Sequence, residues 1–339
     1  MMKPIERVAT TLKHEEPDKV PIFILTTVHG AHAVGKSYGD YFSNAELLAK
    51  GQLKLQEQLG HDCLYPFFYA AKEVEAFGGE ACVKTHGPPE AGEPVFESAE
   101  DLRATELPEP TSDVFDPIIE AQRILYDAKG DSVPIINAIV APFSLPVMLL
   151  GFENWIECIV SRPDFAKEIV ERLLEYSVQL SNYLFENHAT ALAYFNPVAT
   201  GQITSLVEYR HLSLEVDKKY YRKVEGPCIY ALAGSKSRSI LPTLVEEIGI
   251  PGVTVSSNDD LKEIKREYGK KTTLVGNLDN LAMASWSAEE AKAQVKRCID
   301  SAAEGGGYVI CDHHGDIPEN VPNELLEELV KARNRWGRY

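Results

Sequence analysis

Eight short apolar runs punctuate the chain: residues 21–27, 62–69, 133–140, 190–195, 228–232, 252–255, 272–275 and 308–311. Each is too short and too rich in β-branched and aromatic residues for a helix, and nearly continuous apolarity marks strands covered on both faces. Between most of them apolar residues return at helical spacing. Asn44 to Leu59 and Asp116 to Ala128 read as helices, and Ser98 opens a short one. Pro163 and Asp164 start a long helix whose Phe165, Ile169, Leu173, Leu174, Val178 and Leu184 form one stripe. In Ser287-Ala-Glu-Glu290 the serine and second glutamate form a capping box at the start of the last helix before the final strand. Residues 77–95, with Gly78-Gly79 and Pro88-Pro89, form a turn-rich excursion suited to a hairpin beside the strands. Strands and helices in this alternation predict an α/β fold, a (β/α)8 TIM barrel, with its site at the C-terminal strand ends. No glycine-rich phosphate turn follows the first strand, which argues against a doubly wound sheet. No internal repeat or linker divides the chain, so residues 1–339 read as one domain.

Composition narrows the partners. The chain has 339 residues, 44% of them hydrophobic, and a net charge of −17. That charge repels nucleic acid and anionic membranes. The most apolar stretch, residues 133–152, is interrupted by Asn137, Pro142, Ser144 and Pro146, so it predicts a strand, a turn and a helix start rather than a membrane span. Six cysteines without a CxxC pair read as reduced thiols, and the charged first residues lack the apolar core of a secretory signal; both point to the cytoplasm.

The final strand runs into Asp312, His313 and His314, followed by Gly315 and Pro318. Two histidines at a strand's C-terminal end offer metal-binding nitrogens or proton transfer near neutral pH, and they are the catalytic candidates; the alternative is that they cap the next helix. In a closed barrel the first and last strands are neighbours, so His29 and His313 are expected within reach of one bound metal ion or substrate, with Asp312 and His314 as further candidates; His29, Asp312 and His313 are the candidate metal ligands. Asn137, Asn196 and Asn277 sit at or near strand ends, where amides both donate and accept. Lys236 and Arg238 follow the fifth strand at a helix start that favours an anion. With His29, these five are the candidate substrate-binding residues. Glu208, Tyr209, Arg210 and His211 read as an exposed helix face.

Several stretches resemble the uroporphyrinogen decarboxylase superfamily, which also contains corrinoid-dependent methyltransferases. They are His14-Glu-Glu-Pro-Asp-Lys-Val-Pro21, Leu59-Gly-His-Asp62, Phe96-Glu-Ser-Ala-Glu-Asp-Leu102, Ala141-Pro-Phe-Ser144, Leu274-Val-Gly-Asn277 and the final Gly-Tyr-Val-Ile, in family order across nearly the whole chain. The resemblance implies a (β/α)8 barrel with its cavity at the strand C-termini. The decarboxylase's arginine-rich loop after strand one is replaced by Thr26-Thr-Val-His-Gly-Ala-His32, and Pro66-Phe-Phe-Tyr69 stands where its aspartate is expected. Thiol-methylating members carry a His-x-Cys zinc pair at the end of strand five, where this chain has Ala231 and Ala233. After strand eight the family places a Cys or His, and this chain offers His313 and His314. The resemblance therefore implies a methyltransferase working between a small methylated compound, an O-methyl ether among them, and a corrinoid carried by a partner protein, with zinc or a histidine acid activating the leaving group. The alternatives are uroporphyrinogen decarboxylation and a non-catalytic barrel serving as a binding subunit.

Overall fold

The computed structural model describes residues 2–66, 69–312 and 315–339. Six parallel strands pair in sequence order: β3 (Ile136–Val140), β4 (Ala191–Phe195), β5 (Cys228–Ala231), β6 (Gly252–Val255), β7 (Thr273–Gly276) and β8 (Tyr308–Val309). They occupy the third to eighth predicted runs. The first two elements of the strand count, β1 (Ala81–Cys82) and β2 (Glu90–Ala91), pair antiparallel and form the hairpin expected within residues 77–95.

The predicted first and second strands are the principal departure. Residues 21–27 and 62–69 were expected to be full strands, yet each contributes one parallel bridge, Ile22 to Ile310 and Leu64 to Ile135. The ring is nonetheless continuous. Ile310 N donates to Pro21 O and Phe23 N to Ile310 O; Asp62 N donates to Ile22 O; Leu64 N donates to Pro134 O and Ile136 N to Leu64 O. The fold is thus the expected α/β barrel, of (β/α)8 type, with two of its eight staves shortened.

Side chains replace the missing ladder. Asp62 accepts from Ile22 N at 2.9 Å and from two buried guanidinium groups, Arg7 at 2.6 Å and Arg333 at 2.5 Å. Arg7 also binds Asp18, and Arg333 reaches the carbonyls of Val20 and Gly60. This network joins the first helix, both short staves and the last helix (Asn323–Trp336). A buried carboxylate shared by two arginines is tolerable because every charge in it has a hydrogen-bonded opposite.

The helices follow the apolar pattern closely. Pro163–Glu186 buries Ile169, Leu173, Leu174 and Leu184, and Phe165 and Val178 pack half-buried beside them. Asn44 caps Ala45–Leu59 by accepting from Leu47 N, and the Ser287–Glu290 capping box is present. The region around His29, expected as a loop, is instead a helix, Thr27–Val34, ended by left-handed Gly35. It packs against Ala45–Leu59 so closely that a Cβ on Gly51 would lie 2.7 Å from the Gly30 carbonyl oxygen. No described helix is long and apolar enough to cross a membrane, and all six cysteines are free.

Candidate active site

A cavity of about 550 Å³ follows the barrel axis. Val8 and Leu12 of the first helix line its base, and Ser144, Phe152, Pro197, Ile203, Asp312 and Asp316 line its mouth. Barrel interiors are ordinarily filled by bulky branched side chains. Here Ala138, Ala193 and Ala231 are among the inward residues of three adjacent strands, and Ala233 continues the series beyond β5. Those short side chains leave the hollow. Tyr194 and Tyr230, on the same strands, face outward into the core, where Tyr194 packs against both Tyr230 and Tyr220 of the helix Leu214–Lys223. Asp217 accepts from Tyr194 at 2.7 Å, Tyr209 at 2.8 Å and Tyr230 at 2.9 Å, and burial pushes its carboxyl up to about 6.

The loop after β8 brings two carboxyls to the cavity. Asp312 is 4% exposed and its Oδ2 accepts from Leu25 N at 3.4 Å. Asp316 Oδ1 accepts from Thr27 Oγ1, and its main-chain oxygen accepts from Asn280 Nδ2 at 2.8 Å. Gly315 takes φ +123° between them, a conformation costly for a side-chain-bearing residue, and the chain there turns enough for both acids to line one cavity. Burial, reinforced by the facing Asp316, pushes Asp312 up to about 7; burial does the same to Asp316. Cys311 and Tyr65 complete this wall, and burial raises the thiol and the phenol so far that both stay protonated at neutral pH. Two carboxyls that exchange protons near neutrality are suited to acid–base work.

Of the residues singled out from sequence, Asp312 lines the cavity. His313 and His314 lie outside the described residues. His29 does not line the cavity: its helix turns it inward, where Nε2 meets the Val321 carbonyl at 3.0 Å and burial lowers its basicity. Asn137 borders the cavity, but its amide donates to Gln122 and accepts from Ala138 N. Asn196 is held by Ser144, Tyr230 and Asp217, and Asn277 by Ser256 O and Arg297. Neither lines the cavity. Lys236 is exposed, and Arg238 pairs with Glu267 at 2.7 Å, so this cationic pair faces solvent rather than the hollow. Among the four residues read as an exposed face, Tyr209 is instead fully buried on Asp217, while Glu208 completes a capping box with Ser205.

Of the three candidate zinc ligands, Asp312 lines the cavity, His29 does not, and His313 lies outside the described residues. Among the described residues no group of three His, Cys, Asp or Glu side chains is arranged to hold a metal ion. Ala231 and Ala233 line the cavity at the two positions where a His-x-Cys pair was sought. Asp316 was missed from sequence; the signal was its spacing, four residues beyond Asp312 across a glycine.

A parallel barrel with a hollow axis and acids after its last strand belongs to a recognisable group. Residues 3–336 match the uroporphyrinogen decarboxylase (URO-D) family, and the chain belongs to that family. The methylcobamide:CoM methyltransferase MtaA of Methanosarcina barkeri is 24% identical over 97% of both chains. MtbA of Methanosarcina mazei, also a methylcobamide:CoM methyltransferase, is 22% identical over 98% of both. The uroporphyrinogen decarboxylase of Alcanivorax borkumensis is 22% identical over 97% of this chain and 98% of its own. A solved methyltransferase structure from Methanosarcina mazei superposes with a TM-score of 0.87 at 24% identity, covering 99% of each chain, which establishes the shared fold.

Proposed function

We propose that the chain, acting as one barrel domain over residues 1–339, is a methyltransferase that moves a methyl group between a small methylated compound and the corrinoid of a partner protein, with an O-methyl ether as donor. The full-length similarity to methylcobamide:CoM methyltransferases supports the class. The observation that carries the reading is the placement of Asp312 and Asp316 in an apolar hollow, each with a carboxyl near 7.

An ether oxygen leaves poorly as an alkoxide, so cleavage of its bond to the methyl carbon needs a proton or a Lewis acid at that oxygen. A protonated carboxyl of the pair supplies the proton, and Thr27 and the Leu25 amide hold the oxygens that are not donating. The corrinoid, when its carrier docks, supplies a strongly nucleophilic cobalt to accept the methyl group. The apolar walls orient the donor and exclude water. His313 and His314 stand between the two acids in sequence, which supports them as further proton-transfer or zinc-binding groups of the same loop. The apolar rim at the mouth, including Phe152 at 51% and Val207 at 77% exposed, supports docking of a protein carrier there. A cytoplasmic location agrees with reduced thiols and a corrinoid partner.

Uroporphyrinogen decarboxylation fits less well, because among the described residues no arginine or lysine lines the cavity to receive the substrate's carboxylates. The deciding experiment incubates the protein with a methoxylated donor and a reduced corrinoid protein, following corrinoid methylation and release of the demethylated product. Methylation dependent on all three components is expected. Product release that ignores the corrinoid protein, or turnover of uroporphyrinogen at about 1 per second, overturns the reading.

A further inference from the structure

Resting on the methyl-transfer reading, we propose that the cavity takes an uncharged aromatic methyl ether bearing a free hydroxyl, a methoxyphenol, and rejects the anionic ligands to which a thiol-methylating relative would be suited. Three observations converge on this class.

The first is size and shape. A cavity of about 550 Å³ is far larger than a one-carbon alcohol needs, and it falls within the range of sites that enclose whole organic ligands. Its space exists because Ala138, Ala193, Ala231 and Ala233 stand where larger residues would fill the barrel. Phe23, Tyr65, Tyr69, Phe152 and Phe195 supply aromatic faces around it. Planar rings pack favourably on such walls, edge to face or offset.

The second is charge. The ionisable side chains of the described lining are Glu90, Asp312 and Asp316 beside Tyr65, Tyr69 and Cys311; lysine, arginine and histidine are absent from that lining. A sulfonate or carboxylate entering the hollow would lose its water and meet like charge with no cation among the described lining residues to offset it. An uncharged ring incurs neither cost.

The third is hydrogen bonding. The Asp312 and Asp316 oxygens accept a phenolic hydroxyl at the mouth, as Thr27 already shows for Asp316. At the base, Thr273 lines the cavity with a fully buried hydroxyl that has no hydrogen-bond partner among the described residues. A buried hydroxyl without a partner is uncommon and marks a place for a polar ligand atom. A ring with oxygen substituents at both ends meets the two polar points across an apolar middle.

Calorimetric binding to the intact protein without any corrinoid tests this directly, using 4-methoxyphenol, 4-methoxybenzoate, 2-mercaptoethanesulfonate and benzyltrimethylammonium as probes. The phenol is expected to bind about 30-fold or more tightly than either anion, a ratio set by the desolvation of an unpaired anion. In Ala193→Phe, which fills the hollow, phenol binding should fall at least about tenfold while the melting temperature stays near that of the wild type. Because a large residue can also perturb folding, Asp316→Asn provides an independent arm: it keeps the volume and removes a charge, and should narrow the phenol-over-benzoate ratio by about tenfold. Equal or tighter binding of either anion, tighter binding of the quaternary ammonium, or an unchanged ratio in Asp316→Asn overturns the proposal. The expected binding pattern without any methyl transfer to a corrinoid would leave this assignment standing and sink the methyltransferase reading. Methyl transfer from aliphatic or anionic donors with no binding of the phenol would do the reverse.

Discussion

Single side chains decide which of the attractive polar residues face the hollow. His29 was a natural candidate from its place after the first apolar run, yet its imidazole holds the Val321 carbonyl and burial lowers its basicity. His29→Ala should therefore lower stability by about 1–2 kcal/mol and leave ligand affinity within twofold, as thermal melts and calorimetry together can show. Asp312 was legible in the sequence because an acid directly after a buried strand has few other places to point. Asp316 was not, since its approach depends on the Gly315 turn and on Asn280 holding its main chain, neither of which leaves a periodic trace. Glu73 was equally hidden within a helix. It is buried, accepts from Val140 N at 2.6 Å, and burial pushes its carboxyl up to about 8. An acid whose folded value lies above its ordinary 4.5 contributes stability that is complete below about 4.5 and lost as pH rises through 8. Glu73→Gln, a mimic of the protonated form, should stabilise the protein by roughly 1–3 kcal/mol at pH 8.5 relative to its effect at pH 4.5. Denaturant midpoints at both pH values check this, and an equal effect at the two would show that Glu73 does not titrate in this range.

Among the elements, the contrast between helices and the first two staves shows where pattern reading works. Helices such as Pro163–Glu186 carry their own hydrogen bonds, so an apolar stripe and a cap suffice to place them. A stave depends on neighbours. Residues 21–27 have the apolarity of a buried strand, but the Ile22 amide bonds to the Asp62 carboxylate and residue 27 already begins a helix. Only residues that are distant in sequence reveal that Arg7, Asp62 and Arg333 perform the joining. Asp62→Ala should cost about 3–5 kcal/mol, because it strands two buried guanidinium groups, and should do so without changing the helical content of the folded form. Chemical denaturation followed by circular dichroism measures both quantities. A loss below about 1 kcal/mol would mean that the backbone bridges alone close the ring.

For the molecule as a whole, the mouth of the barrel has an apolar rim. Phe152, Ile203, Leu206, Val207 and Leu281 are exposed on segments that follow the C-terminal ends of β3, β4 and β7. Val207→Asp combined with Leu281→Asp should weaken association with a corrinoid carrier by at least about tenfold while leaving small-ligand affinity unchanged, measurable by titrating the carrier in methyl-transfer kinetics and by direct calorimetry. Equal carrier dependence in the double variant would place docking elsewhere. The alanine-lined hollow also bears on how such a barrel diversifies. Successive residues of one strand face opposite ways, with Ala193 inward and Tyr194 outward, so the walls of the chamber and the packing that holds the scaffold are encoded at separate positions. Replacement of one alanine by valine or leucine would reshape the chamber and leave the tyrosine layer behind it in place. A lineage that starts from this arrangement can therefore explore new ligands by single substitutions, each a small step in volume, without first evolving a new scaffold.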